Sequence, residues 1–241
     1  MRYELYYWPR IQGRGEFVRL ALEDAGADYT DVAREPGGMD VMMELLCSRT
    51  SPKPPFAPPF LRAGRQLIGQ TALILDYLGR HHGLAPDSES GRIWALQLQL
   101  TIADFVVEIH DTHHPVGAGF YYEEQRAEAA RRSRYFLDQR LPKFLGWFEQ
   151  VIEDNPAASG CAVGRRVTHV DLSLFQIVEG LRYAFPRAMT RREPQLPRLL
   201  ALRERVARRP GIAAYLSSPR RIPFDEAGIF RRYPELDRFE A

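Results

Sequence analysis

The sequence predicts an α/β N-terminal domain over residues 1–80, a linker over 81–91 and an all-helical C-terminal domain over 92–241. Three observations carry that prediction. Arg2 to Trp8 alternates in the manner of a half-buried strand, and a helical pattern and a second short strand follow it. A proline-opened hairpin from Phe60 to Ile68 then runs straight into an amphipathic helix beginning near Thr71. Beyond Gly91 no convincing strand pattern occurs, whereas helical spacing recurs to about Leu216.

Strand one places Tyr3, Leu5 and Tyr7 on one side and Glu4, Tyr6 and Trp8 on the other, and Pro9 ends it. After Gly13, the residues Phe17, Leu20, Ala21 and Ala25 recur at helical spacing until Gly26 stops the helix. Tyr29 to Val32 follows as a strand, and strand-helix-strand order implies a parallel pair with a right-handed crossover. Between Arg34 and Pro55 only Met39 to Leu46 has helical character. The linker is polar and carries Gly83 and Pro86. In the second domain Ile93 to His114 is a long helix with apolar residues at Ile93, Leu96, Leu100, Ala103 and Val107, and Glu123 to Asp154 is another, interrupted near Pro142. Thr168 and Asp171 have capping-box spacing, with Asp in the usual Glu or Gln place, at the start of a helix apolar around most of its circumference and therefore central. Leu196 to Arg208 and Ile212 to Leu216 are shorter helices.

Composition excludes several classes of function. With 33 basic and 31 acidic residues the net charge is +2, which implies no strong steering towards nucleic acid or an anionic membrane. Cys47 and Cys161 lie too far apart for a CxxC redox pair or a metal-ligand spacing, which suits a reducing cytoplasm. Met1-Arg2 leads directly into the first strand, so no targeting segment or membrane span is expected.

The stretch Phe56 to Leu78, FAPPFLRAGRQLIGQTALILDYL, organises the rest. X-Pro is the bond at which a cis peptide costs least, and a proline at the first position of a strand leaves backbone groups available to a ligand. Just past the second strand of the hairpin, the uncapped amides of a helix N-terminus at Gln70-Thr71 form a site for a carboxylate. Together these features suggest an extended, peptide-like, anionic ligand.

Proline before a short hairpin, then Gln-Thr opening a helix that ends in Tyr-Leu, resembles the glutathione pocket of the cytosolic glutathione transferases. The match recurs at Leu5-Tyr6-Tyr7-Trp8-Pro9 with Gly13-Arg14-Gly15-Glu16 after it, which is similar to the tyrosine-type alpha, mu, pi and sigma classes. The chain is thus identified as a member of that family, expected to be of bacterial type. The resemblance implies a thioredoxin-like N-terminal domain, a homodimer, glutathione as co-substrate and no metal or other cofactor. It also implies that Tyr7 donates a hydrogen bond to the glutathione sulfur while Arg14 supports the thiolate. That role has a clear physical need, because a free thiol of pKa about 8.5 is mostly protonated at neutral pH.

Trp8 lies beside Tyr7 in the implied glutathione site. The residue before the cis proline would pair its backbone with the cysteinyl amide of glutathione; Ala57-Pro58 is favoured for that bond because Pro58, if it preceded a cis Pro59, has no N–H, although the spacing to Gln70 permits either. Gln70 and Thr71 would hold the γ-glutamyl end, Arg49 or Lys53 the glycyl carboxylate, and Asp104 would reach the glutamyl amine across the dimer interface. Pro9 to Gly13 is one residue longer than the family's spacing and borders the pocket for a hydrophobic electrophile, to which Gln12, His110, His114 and Tyr121 are assigned. His110 and His114 stand one helical turn apart with His113 between them; that spacing can ligate a metal, but without a partner carboxylate motif the expectation is structural or pocket-lining histidines. A glutathione-dependent peroxidase, isomerase or dehalogenase would share every one of these residues, and a non-catalytic binding protein on the same fold is the alternative of a different class.

Overall fold

The computed structural model describes residues 2–48 and 52–238. Its N-terminal part is a four-stranded sheet of order β2-β1-β3-β4. The strands are β1 (Tyr3–Tyr6), β2 (Tyr29–Asp31), β3 (Phe60–Ala63) and β4 (Gln66–Gly69). β1 runs parallel to β2 and antiparallel to β3, with Tyr3 opposite Tyr29 and Leu5 opposite Leu61. Period-two alternation then decides what each face buries. Tyr3, Leu5 and Leu61 enter the main core with residues of α1 (Gly15–Asp24) and α3 (Thr71–His82). Tyr6 and Phe60 face the other way, stack at 4.7 Å between ring centroids, and are covered by Met42 of α2 (Gly38–Cys47). This is the thioredoxin-like arrangement expected of the sequence.

Gly83–Ser88 connects α3 to α4 (Glu89–Asp111), and the rest of the described chain is helical or irregular. α5 (Arg126–Tyr135) and α6 (Leu141–Glu153) are separated by one wide turn, Phe136–Arg140, placed where Pro142 can offer no N–H to the preceding turn. α7 (His169–Ala184) is the hub: all but three of its residues are buried, and the Thr168–Asp171 capping box forms at its start. α8 (Pro186–Arg192), α9 (Pro197–Ala207) and α10 (Pro210–Leu216) follow. No helix among the described residues is long and apolar enough to cross a membrane.

Two features depart from local pattern. The stripe Ile93, Leu96, Leu100, Ala103 and Val107 does not face the core; Ile93, Leu100 and Val107 are 56%, 51% and 47% exposed. α4 buries the adjacent Ala95, Leu98, Ile102, Phe105, Val106 and Ile109 instead, so it is apolar on two faces and its core covers one. Secondly, the segment after α10 crosses back over both domains as an irregular strap. Arg220 pairs with Glu23 at 2.7 Å, the Phe224 ring stacks on Tyr183, and Phe230 lies against Gly180 so closely that a Cβ there would come within 2.3 Å of the ring. Farther on, Tyr233 stacks on Tyr122, and Asp237 accepts hydrogen bonds from the backbone N–H groups of Arg187 and Ala188 that open α8.

Candidate functional site

Tyr7 follows directly on β1 and is buried. The backbone N–H of Arg14 donates to its hydroxyl oxygen at 2.8 Å. Two glycines make that approach possible: a Cβ on Gly13 would lie 2.0 Å from the Tyr7 oxygen, and one on Gly15 would lie 2.4 Å from Cδ1 of the ring. Gly13 also has φ +45°, a region open to glycine at little cost. Burial pushes the Tyr7 hydroxyl above its ordinary range, against the opposing pull of the Arg14 amide and the Arg14 and Arg19 charges. The group therefore keeps its proton at neutral pH, and with its oxygen already accepting, its O–H is the part left to act as a donor. Tyr6 is on the opposite face and donates its own hydroxyl to Glu4 at 2.5 Å.

Below Tyr7 lies a fully buried guanidinium. Arg19 donates from Nε to Asp31 at 2.7 Å and from one Nη to Glu16 and to the carbonyls of Ile11 and Gln12. Its centre stands 5.8 Å from the centroid of the Tyr7 ring. Glu16 is wholly buried as well and also receives Arg221 of the strap. Gln12 is buried inside this construction: its amide nitrogen donates to the Ile222 carbonyl, and its oxygen accepts from Gln176 at 2.7 Å. The Gln12 side chain is thus committed to α7 and the strap.

A cleft of about 420 Å³ opens between α1, the start of α3 and α4, lined by Arg14, Phe17, Gln70, Thr71, Leu100 and Ala103 among others. Gln70, immediately before α3, has φ 66°, a left-handed conformation rare for a residue with a side chain, and strained positions of that kind cluster at ligand sites. Its side chain makes no cap to α3, so no side chain caps the helix start from within and the first-turn N–H groups face outward. The cleft brings Arg14, Gln70 and Thr71 together. It does not include Lys53, which is exposed beside a separate groove along β4 with Arg65, Tyr77 and Arg80. Arg49 lies outside the described residues. Trp8 packs with the Tyr6, Met42 and Phe60 cluster, and Asp104 is exposed on α4 next to Ala103.

The cis bond joins Pro58 to Pro59, not Ala57 to Pro58 as the need for an N–H had favoured. The buried Pro59 adjoins Phe60, the first paired residue of β3, which places the turn directly against the sheet. Pro58 offers a ligand its carbonyl alone, and Ala57 is exposed.

At the end of α4, His110 is half-buried and His113 and His114 are buried. Burial holds all three neutral, taking His110 down to about 4 and His113 to about 2. Tyr121 is 77% exposed. The outward stripe of α4 and the strap around Tyr7 were not legible as parts of the site. The stripe had a signal in its strict three-four spacing, which is a seam between helices as readily as a core face.

Comparison with known proteins agrees with the fold. Residues 110–219 match the family model described as glutathione S-transferase, C-terminal domain. The chain is 27% identical over 226 residues to "Glutathione S-transferase P 1" of Xenopus laevis, covering 91% of this chain and 93% of that protein. It is 23% identical over 219 residues to "Glutathione S-transferase" of Plasmodium falciparum, covering 89% and 94%. Among solved structures, that of prostaglandin synthase D of Nilaparvata lugens superposes with a TM-score of 0.69 at 20% identity, over 90% of this chain and 98% of that one. These relatives lend no support to a bacterial type.

Proposed function

We propose that the chain is a glutathione transferase of the tyrosine type, in which the Tyr7 hydroxyl donates to the glutathione sulfur and the thiolate attacks a hydrophobic electrophile. The observation that carries this reading is the state of Tyr7: a buried phenol that keeps its proton, its oxygen polarised by the Arg14 N–H it accepts, so that its O–H is a donor. One such donor to a developing anion lowers its pKa by about 1–3 units. A shift of two units from 8.5 raises the thiolate fraction at pH 7 from about 3% to about 75%.

In this reading the γ-glutamyl carboxylate meets the α3 N-terminus at Gln70 and Thr71, Arg14 stands between that end and the sulfur, and the Pro58 carbonyl receives the cysteinyl N–H. The electrophile enters towards His110, His114 and Tyr121. The protein acts in the cytoplasm as a detoxifying homodimer. The exposed α4 seam supports the dimer: Leu96, Leu100 and Ala103 border both the cleft and the seam, so a second copy there would complete the cleft wall and bring its own Asp104 to the ligand.

The test is the ultraviolet thiolate absorbance of bound glutathione against pH, in the native protein and in Tyr7→Phe. A depressed thiol pKa that returns by one unit or more in the variant is expected. An equal pKa in the two proteins would refute the role of Tyr7, and failure of glutathione to bind would refute the site.

A further inference from the structure

Beyond the thiolate chemistry, three imidazoles converge where α4 ends. His110, His113 and His114 each present a ring nitrogen within 4.8 Å of the other two, the one such cluster of three His, Cys, Asp or Glu found among the described residues. The helical spacing explains the approach, since positions three and four apart share a face.

Hydrogen bonding fixes the chemistry of the central ring. His113 Nε2 lies 2.8 Å from the carbonyl oxygen of Ile229 in the strap. A carbonyl only accepts, so the neutral ring carries its proton on Nε2 and leaves Nδ1 as a bare lone pair. That lone pair accepts from the Nδ1–H of His114, 2.5 Å away, and this proton leaves when a metal ion takes the two nitrogens. A ring nitrogen held by a backbone carbonyl through its other N–H is how proteins orient histidines that ligate metals. The His110 ring packs on both neighbours, its centroid 4.9 Å from that of His113 and 5.3 Å from that of His114. His113 and His114 are buried, at 1% and 7% exposure, while half-buried His110 gives the cluster its open side.

We propose that His110, His113 and His114 form a binding site for a zinc(II)-class cation, held by three imidazole nitrogens. Imidazole suits zinc and its late first-row neighbours, in contrast to magnesium and calcium, which take oxygen ligands. Two nitrogens bound to one tetrahedral zinc at about 2.0–2.1 Å stand about 3.3 Å apart, so His114 turns away from His113 by under about 1 Å when the ion enters. Three protein ligands leave a fourth position open. Arg14 and Arg231 are electrostatic neighbours of His110, and they are offset one for one by Asp111, whose carboxylate is 3.9 Å from His110 Nδ1, and by Glu123 near His114. The charge of the ion itself calls for an anion at the open position, water-derived hydroxide or a small carboxylate. The site does not depend on Tyr7 or on glutathione.

The experiment is a zinc chloride titration of the chelator-treated, full-length protein against a competing chromophoric chelator, with cobalt(II) chloride as a spectroscopic probe. One equivalent is expected to bind, cobalt giving the intense visible bands of four-coordinate geometry. His110→Ala and His114→Ala are each expected to weaken zinc at least 10-fold, while His81→Ala, removing a surface histidine of α3, changes nothing. His110 is half-buried, and circular dichroism and the thermal midpoint of the metal-free variants establish that they fold. Saturable binding that survives both variants, binding abolished by His81→Ala, or an octahedral cobalt spectrum would overturn the assignment. Absence of one-equivalent binding would leave His113 and His114 as a hydrogen-bonded pair and overturn it likewise.

Discussion

Replacing Asp171 with alanine removes a carboxylate that ties the loop before α7 to the helix itself. Its Oδ1 accepts from the Ala162 N–H at 2.7 Å, and its Oδ2 accepts from the Thr168 N–H at 2.6 Å and the Thr168 hydroxyl at 2.9 Å. Ala162 and Thr168 are 2% and 3% exposed, so water cannot replace the lost acceptor without opening the junction. Two buried N–H groups left unpaired cost about 1–3 kcal/mol each, whereas the hydroxyl can rotate to another partner. Taking about 2 kcal/mol for each, and returning about 1 kcal/mol for no longer burying an ion, the net destabilisation is about 3 kcal/mol. Asp171→Asn keeps one acceptor oxygen but turns an amide donor towards one of the N–H groups, and falls at about 2 kcal/mol. Thr168→Ala loses the cap hydroxyl alone, about 1 kcal/mol. Urea unfolding at neutral pH checks the order, with equal m-values as the condition for comparing midpoints. If Asp171→Ala proves no worse than Thr168→Ala, the carboxylate is not what holds this junction and the reasoning fails.

Two further perturbations address the pH dependence and the assembly. His169 is buried against Gly79 of α3, donates from Nδ1 to Gln99, leaves Nε2 unpaired, and is pushed by burial down to about 4. At this residue the unfolded chain takes up a proton near 6.5 and the folded one only near 4, so its contribution is full above about pH 6.5 and about 3 kcal/mol is lost as pH drops to about 4, added to losses of the same sign from His110, His113 and His114. His169→Gln should reduce, without abolishing, the difference between urea midpoints taken at pH 7 and pH 5, and an unchanged difference would assign the loss wholly to the α4 histidines and other groups. Leu100→Arg places a charge in the middle of the exposed α4 seam and is expected to halve the mass measured by sedimentation without changing the thermal midpoint of the monomer by more than about 0.5 kcal/mol equivalent; a variant of unchanged mass would move the dimer contact elsewhere.

What the sequence made legible follows from the range over which each signal acts. The four strands and the hairpin were readable because alternation and the punctuation by Pro9, Pro59 and Gly64 are local. The capping box at Thr168 was readable for the same reason. The α4 stripe was visible as a helix yet pointed away from the core, because periodicity reports that an apolar face exists and not what covers it; the true core face of that helix, through Leu98, Phe105 and Ile109, is interleaved two residues away. The cis bond falls at Pro59, next to Phe60, whose pairing with Tyr6 and Gly69 is a tertiary fact that no local pattern reports. The strap had no periodic pattern to find. Phe230 is placed by the absence of a side chain at Gly180, and Asp237 by the free N–H groups of α8.

The strap also bears on why Tyr7 sits where it does. A guanidinium with no exposure, such as Arg19, survives burial only if opposite charges and carbonyls surround it, and here those are Glu16, Asp31 and the carbonyls of Ile11 and Gln12. Glu16 in turn needs Arg221, and Gln12 needs Gln176 and the Ile222 carbonyl, so the loop from Pro9 to Gly13 is held between α1, α7 and the strap. That loop delivers Gly13 to the Tyr7 oxygen and the Arg14 N–H to its lone pair. Its extra residue therefore does not slacken the site, because the Ile11 and Gln12 carbonyls are tied to Arg19 and the Gln12 side chain to α7 and the strap. Removal of one member leaves the others buried and unpaired, which costs about 3–5 kcal/mol for a pair broken on one side. The geometry of the phenol thus depends on residues more than two hundred positions away in the chain, and the segment after α10 is part of the scaffold of the site.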